Sequence, residues 1–212
     1  MQSLVAQETT KSALTMHFPT IALTTLLSMA SAAPATIEAR FPSGNVLRPS
    51  AISIYHGING AIDYGVAIAE VSRNNWDGRD NTTLVTFDLN GKSLPGKCFL
   101  RFWLEPKTQS SYWDGTGLID VFSSSQPAPK EGSKGWGGPG NQRYNPLGRM
   151  KVNYNGDATV LDFAPNQLSA FDCPKVGDWS VKNGLVGYEL VPVGDKDRVQ
   201  WDGAVSGLYL SW

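Results

Sequence analysis

A two-residue alternation of apolar and polar side chains runs through most of the chain after Arg48, and it constrains the fold more than any other feature. Successive side chains of a β-strand point to opposite faces, so this period indicates strands with one face in a core. No window of about a dozen residues combines a helical apolar stripe with capping residues. We therefore predict an all-β protein, an antiparallel β-sandwich resembling a jelly roll.

Ten segments combine this alternation with β-branched and aromatic residues and are predicted as strands. They are residues 51–55, 61–71, 82–89, 97–105, 117–123, 147–154, 158–163, 185–193, 198–201 and 207–212. Asn-Gly pairs at 59–60, 90–91, 155–156 and 183–184 supply residues that tolerate the positive φ of tight turns. The third pair predicts a hairpin between the strands that flank it.

The alternation also predicts which side chains face the core. In 97–105, Cys98 shares one face with Leu100, Phe102 and Leu104, so Cys98 is predicted to point inward. By the same argument Trp201 and Trp212 are predicted core residues.

Residues 18–29 form a short, uncharged apolar run that ends at Ala30-Ser31-Ala32-Ala33, where small residues suit signal peptidase. We predict a signal peptide over 1–32, cleaved within a few residues of Ala32, with an N-terminal core helix as the alternative. Met16, directly before the run, is an alternative start to Met1. The run is too short for a membrane span, and no later stretch reaches the roughly 18 apolar residues required.

Secretion gives the two cysteines of the chain a specific meaning, because an oxidising compartment favours their pairing. We expect one Cys98–Cys173 disulfide, with two buried free thiols as the alternative, and a protein that is extracellular or associated with the cell wall. Asn81-Thr82-Thr83 is a glycosylation sequon after the polar run 73–80, so a glycan is predicted at Asn81.

The formal net charge of −1, with acidic and basic residues interspersed, argues against nucleic acid or an anionic membrane surface as a partner. Beyond Ala32, His56 is the only histidine, and neither a G-x-S-x-G elbow nor a phosphate-binding loop accompanies it. We therefore expect no metal, no cofactor and no catalytic residue.

Four blocks of sequence resemble a known family in their order and spacing. They are LPGKCFLRFWLEP at 94–106, GLIDVF at 117–122, FDCP at 171–174, and GYELVPVGD at 187–195 followed by VQW at 199–201 and GLYL at 207–210. Together they resemble the fungal But-two C-terminal domain over residues 82–212, with 33–81 as an N-terminal β segment of the same domain. The resemblance implies a secreted or surface β-sandwich in a family whose members mostly lack a known activity.

Trp-Asp-Gly occurs at Trp76, Trp113 and Trp201, and we interpret the tripeptide as a strand-end turn. The functional alternative is carbohydrate binding, since exposed indole rings stack on sugars while carboxylates bind hydroxyls. The candidates for such a site are Tyr112, Trp113, Asp114 and Trp136. Our leading hypothesis is a non-catalytic secreted protein that binds cell-wall or host polysaccharide.

Two other functions stay open. One is a protein-interaction or effector-like module that binds an extracellular protein through the Ser-, Pro- and Gly-rich segment 123–148, with Lys130, Lys134 and Arg143. The other is a glycoside hydrolase, which needs two facing carboxylates from among Glu70, Glu105 and Glu189. Glu105 and Glu189 are more simply explained as charges that face solvent.

Overall fold

A computed structural model of the chain describes residues 41–74, 79–132, 135–136, 138–161 and 168–212. The predicted signal peptide and Trp76 lie outside the described residues, as do Lys134 and the side chain of Trp136. The described strands all belong to one unit that runs from Glu38 to Trp212. Among the described residues, no helix is long and apolar enough to cross a membrane.

The described residues form seventeen β-strands and no helix. The strands are β1 Val46–Leu47, β2 Ala51–His56, β3 Ala61–Asp63, β4 Ile68–Asn74, β5 Asn81–Asp88, β6 Lys97–Leu104, β7 Tyr112–Asp114, β8 Leu118–Ser124, β9 Gly135–Trp136, β10 Arg143–Lys151, β11 Gly156–Asp157, β12 Thr159–Leu161, β13 Phe171–Asp172, β14 Val181–Lys182, β15 Leu185–Pro192, β16 Lys196–Asp202 and β17 Gly207–Ser211.

The strands make two antiparallel sheets. The small sheet has the order β1-β17-β6-β11, with β13 paired to the start of β6. The large sheet has the order β12-β10-β8-β15-β5-β2-β3-β9, with β14 paired to β15 and an arm formed by β4, β16 and β7. The arm meets the rest of the sheet at one pairing, Ser72 with Asn81, so the large sheet curls there.

The main core lies between the two sheets. From β6, Cys98, Leu100, Phe102 and Leu104 are all buried, which confirms the predicted inward face. Trp201 is fully buried and packs edge-on against Phe102, with ring centroids 5.1 Å apart. Trp212 is only partly buried at the margin of this core.

A smaller apolar cluster covers the outer face of the large sheet. Ile62, Leu84 and Ala128 form it, and the chain at Ala128 and Gly140 lies over the sheet there. Two hydrogen bonds fix this cover, from Thr86 Oγ1 to the carbonyl of Ala128 (2.7 Å) and from the Tyr64 hydroxyl to the carbonyl of Pro139 (2.9 Å). Part of the segment predicted as a presenting loop, at Ala128 and Pro139, is therefore held against the sheet.

The all-β antiparallel fold is confirmed, and each of the ten predicted segments overlaps a strand. One prediction was wrong in detail, because 61–71 is two strands, β3 and β4. Gly65 separates them with φ +63°, and a Cβ there would lie 2.7 Å from the Lys130 carbonyl oxygen. This close approach makes glycine necessary at the break.

The predicted disulfide is also confirmed. Cys98 and Cys173 are bonded, with their Cα atoms 4.8 Å apart, and both are buried. Phe171 of β13 pairs with Cys98 of β6 in register, so the bond fastens the chain just beyond β13 to the centre of the small sheet.

Candidate functional site

The predicted sugar-binding residues of β7 do not share one surface. Tyr112 and Asp114 lie on one face of this strand and Trp113 on the other, as strand alternation requires. Trp113 stacks on Tyr154 with ring centroids 5.8 Å apart, and its buried Nε1 has no hydrogen-bond partner in the described structure. Trp113 therefore packs at the edge of the core, away from the other two residues.

A different pair of aromatic side chains is exposed. Tyr144 of β10 and Trp179 are 53% and 59% exposed, and their rings meet edge to face with centroids 4.9 Å apart. Trp179 follows a turn in which the amide of Lys175 donates to Asp178 Oδ2 (2.8 Å) and the amide of Asp178 donates to the Lys175 carbonyl (3.0 Å). These bonds fix the backbone that presents the indole ring.

The aromatic pair borders a cavity of about 180 Å³. Trp179, Leu147, Phe171 and Pro174 supply apolar walls, while Ser123, Asn145, Asp172 and Asp178 supply polar groups. We call this cavity, together with Tyr144 at its rim, the aromatic cleft. No lysine or arginine lines it in the part of the chain that the structure describes.

Tyr188 also lines the aromatic cleft. Its side chain is 5% exposed and packs edge-on against Phe87, and burial raises the pKa of its hydroxyl, which therefore stays protonated. This hydroxyl has no hydrogen-bond partner among the described residues. The hydroxyl is not among the fully buried side-chain atoms that lack a partner, so solvent reaches it and it is available to a water or to a ligand hydroxyl.

A second, larger cavity of about 570 Å³ lies on the outer face of the arm formed by β4, β16 and β7. We call it the polar groove. Its lining residues are Glu70, Ser72, Arg73, Asn74, Arg79, Asn81, Asp114, Lys196, Asp197 and Arg198.

Arg198 lies at the centre of the polar groove. Its Nε and Nη2 both donate to Glu70 Oε2, at 2.9 and 2.6 Å, and its guanidinium lies 5.4 Å from the Tyr112 ring centroid. In register, Arg198 pairs with Ser72 of β4 and Asp114 of β7. Strand pairing therefore holds this cation between two polar neighbours.

A chain of hydrogen bonds continues from Glu70. Glu70 Oε1 accepts from Ser72 Oγ (2.8 Å) and Asn81 Nδ2 (3.1 Å). Asn81 Oδ1 lies 2.8 Å from His56 Nδ1, and His56 Nε2 lies 3.0 Å from Asp63 Oδ2. Burial raises the pKa of Glu70, but the bonds from Ser72, Arg198 and Asn81 and the charge of Arg198 outweigh it, so the pKa is lowered overall.

We expect Glu70→Gln to destabilise the fold by about 1 kcal/mol at pH 7, since charge-assisted bonds are lost but the half-exposed Arg198 is screened by solvent. The pKa of Glu70 is lower in the folded protein than in the unfolded chain. The ionised carboxylate therefore stabilises the fold at any pH above the unfolded pKa, and this stabilisation is lost as the pH falls through the folded pKa. Urea unfolding should show the difference between the two proteins shrinking as the pH is lowered from about 5 into the acid range. A difference that grows on acidification would contradict this.

The sequon asparagine lies inside this chain of bonds. Asn81 is half-buried at the start of β5, and both polar atoms of its amide have partners. One Nδ2 hydrogen of Asn81 is donated to Glu70, so a glycan would have to replace the other hydrogen. The glycan would then occupy the groove that Asn81 lines. Glycosylation at Asn81 stays a prediction.

The structure does not bring the three candidate carboxylates together. The expectation that Glu105 and Glu189 face solvent was wrong, because they are 8% and 1% exposed. Glu105 accepts from Ser111 Oγ. Of the three, only Glu70 lines either cavity described above.

Glu189 is covered by Arg143. Its carboxylate accepts from Arg143 Nε and Nη2, at 3.0 and 2.8 Å, and from Thr82 Oγ1 at 2.8 Å. The bond to Glu189 is the main reason that the pKa of Arg143 is raised. Arg143 is thus engaged in an ion pair although its side chain is 41% exposed, and Lys130 of the same predicted presenting loop is exposed as well.

Sequence reasoning missed Tyr144, Trp179 and Tyr188 as site residues. A usable signal was present for Trp179, because Val-Gly-Asp-Trp-Ser at 176–180 has turn formers and no strand alternation to bury an indole ring. The alternation in 185–193 indicates that Tyr188 faces inward with Val186 and Leu190, and it does, but its missing hydroxyl partner is a property of the packing alone.

Comparison of the sequence with protein-family models finds no match, and a search of curated proteins finds none either. The resemblance to the But-two C-terminal domain therefore stays a prediction.

Proposed function

We propose that the protein is a secreted, non-catalytic β-sandwich that binds an uncharged polysaccharide of a fungal cell wall or a host at the aromatic cleft. The observation that carries this proposal is the Tyr144–Trp179 pair, more than half exposed beside a cavity that contains the unpartnered Tyr188 hydroxyl. Secretion is supported by the signal-like leader and is compatible with the disulfide.

The two aromatic rings have different roles in this proposal. Their planes are inclined by 66°, so one sugar ring cannot stack on both. Trp179 lines the cavity and has the larger apolar surface, and it is the stacking ring. Tyr144 packs against its edge and limits its rotation, which reduces the entropy lost on binding.

Size and charge indicate the class of ligand. A cavity of about 180 Å³ is smaller than the roughly 300–1,000 Å³ of pockets that enclose a drug-sized molecule, so one sugar ring or a short branch enters it. The remainder of a polymer lies over the rim. Asp178 and Asp172 line the cleft, and Asp172 is paired with Lys97 Nζ at 2.7 Å. No lysine or arginine of the described residues lines it, so a neutral polymer such as β-glucan or chitin fits better than an acidic one.

We expect the folded protein to be retained on insoluble β-glucan or chitin, and Trp179→Ala to weaken retention about tenfold, since stacking is worth roughly 1–3 kcal/mol. Ile58→Ala is the matched control, because Ile58 is an equally exposed apolar residue that lines neither cavity. Tyr144→Phe should keep most of the affinity because it keeps the ring.

Tyr188→Phe separates a binding role from a structural one. The hydroxyl has no partner within the described protein, so its removal should leave the free energy of unfolding unchanged or raise it, while retention falls several-fold. Lack of retention of the wild-type protein on either polymer would refute the proposal. So would full retention of both Trp179→Ala and Tyr188→Phe.

A further inference from the structure

Three residues of the aromatic cleft lie in a row across neighbouring strands. Tyr188 of β15 pairs with Ser123 of β8, and Ser123 Oγ accepts from the backbone amide of Asn145 in β10 (3.1 Å). All three residues line the cavity. The Ser123 hydroxyl is used to join two strands, whereas the Tyr188 hydroxyl has no partner among the described residues. The Tyr188 hydroxyl is therefore the group of this row that can bind a ligand.

The same cavity has apolar walls. Leu147, Phe171, Pro174 and Val186 line it, and both Pro174 and Val186 are buried. A ligand group that enters the cavity loses water on its apolar sides, and a group made of hydroxyls alone would lose hydration that these walls cannot replace. The walls therefore favour a group with an apolar end.

Two polar groups set the hydrogen bonds that such a ligand can make. Burial raises the pKa of the Tyr188 hydroxyl, so it is protonated at neutral pH and can donate. Asp178 Oδ2 accepts from the amide of Lys175 (2.8 Å), while Asp178 Oδ1 has no partner among the described residues and can accept. The cleft thus offers a donor and an acceptor beside an apolar surface.

We propose that the aromatic cleft selects sugars that carry a 2-acetamido group, so that its polymer is of the chitin type; this inference rests on the proposed function. The acetamido methyl packs against Leu147, Phe171 and Val186. The acetamido carbonyl oxygen accepts from the Tyr188 hydroxyl, and its N–H donates to Asp178 Oδ1. The pyranose ring stacks on Trp179. A glucan has a hydroxyl at this position and therefore no methyl to bury.

The test is a calorimetric titration with chitotetraose, built of N-acetylglucosamine, and with cellotetraose, built of glucose. Both oligomers are neutral and β-1,4-linked, and they differ only in the substituent at C2. We expect chitotetraose to bind about tenfold more tightly than cellotetraose, because only its acetamido group can use the walls and both polar groups.

Tyr188→Phe should weaken binding of chitotetraose about fivefold, since one hydrogen bond is lost, and should change binding of cellotetraose less than about twofold. Tyr209→Phe is the matched control. Tyr209 is also buried, but its hydroxyl donates to Asp157 Oδ1 (2.7 Å) and it lines neither cavity, so this variant should lose stability and keep the preference. Trp179→Ala should weaken binding of both oligomers by the same factor, because stacking does not involve the C2 substituent.

The outcomes separate this inference from the proposed function. Equal affinity for the two oligomers, or tighter binding of cellotetraose, would overturn the acetamido assignment and leave the binding of a neutral polysaccharide standing. An undiminished preference in Tyr188→Phe would also overturn the assignment. Binding of neither oligomer by the wild type would overturn both.

Discussion

Replacing Cys98 and Cys173 together by alanine is expected to lower the free energy of unfolding by about 4 kcal/mol. The bond closes a loop across a sequence separation of 75 residues, and the chain-entropy estimate for such a loop is about 4 kcal/mol. For a domain of this size, the midpoint of thermal unfolding should fall by roughly 8–16 °C. Calorimetry or urea unfolding of the two proteins measures the difference.

Each single variant provides the control for the crosslink itself. Cys98→Ala or Cys173→Ala already breaks the bond, so each should lose nearly as much stability as the double variant, and reducing the wild type should have a similar effect. Alanine is preferable to serine here because both positions are buried and a hydroxyl would lack a partner. A loss below about 1 kcal/mol in the double variant would show that the bond contributes little.

Replacing Arg143 by methionine is expected to cost about 3 kcal/mol, because it leaves the Glu189 carboxylate buried with Thr82 as its remaining donor. Breaking a fully buried ion pair costs roughly 3–5 kcal/mol, and the lower end applies because the Arg143 side chain is 41% exposed. Urea unfolding at neutral pH is the measurement.

The double variant Arg143→Met/Glu189→Met should recover most of the lost stability, because it removes the charge as well as its partner. Arg149→Met is the matched control. Arg149 makes a similar two-bond contact with Asp120 between β10 and β8, but both side chains are partly exposed, so its loss should cost less than about 1 kcal/mol. Equal costs for Arg143→Met and Arg149→Met would mean that burial of Glu189 is unimportant.

The long strands were predictable because a strand with one buried face has an alternating sequence. Segment 97–105 shows this most clearly, since every second side chain from Cys98 is buried. The shortest strands, such as β1, β11 and β13, were not predicted, because two residues cannot display a period. They form through pairing with strands distant in sequence, as β13 does with β6.

The candidate site was less predictable for a related reason. The alternation of apolar and polar residues predicts which side chains share a face of a strand. It does not predict whether other parts of the chain cover that face. Glu189 lies on the outer face of β15, as predicted, yet Arg143 and its surroundings exclude solvent from it. Trp113 was predicted to be exposed because of its Trp-Asp-Gly tripeptide, whereas the pairing of β7 with β16 turns it toward Tyr154.

The position of β17 in the small sheet determines when this domain can finish folding. β17, near the C-terminal end of the described chain, lies between β1 and β6 and pairs with both. The two earlier strands therefore belong to one sheet only when β17 joins them. Synthesis proceeds from the N-terminus, so β1 and β6 emerge long before the strand that joins them. β6 can pair with β11 and β13 earlier, but the small sheet is completed only after translation has passed Ser211, and until then its cover over the main core is incomplete.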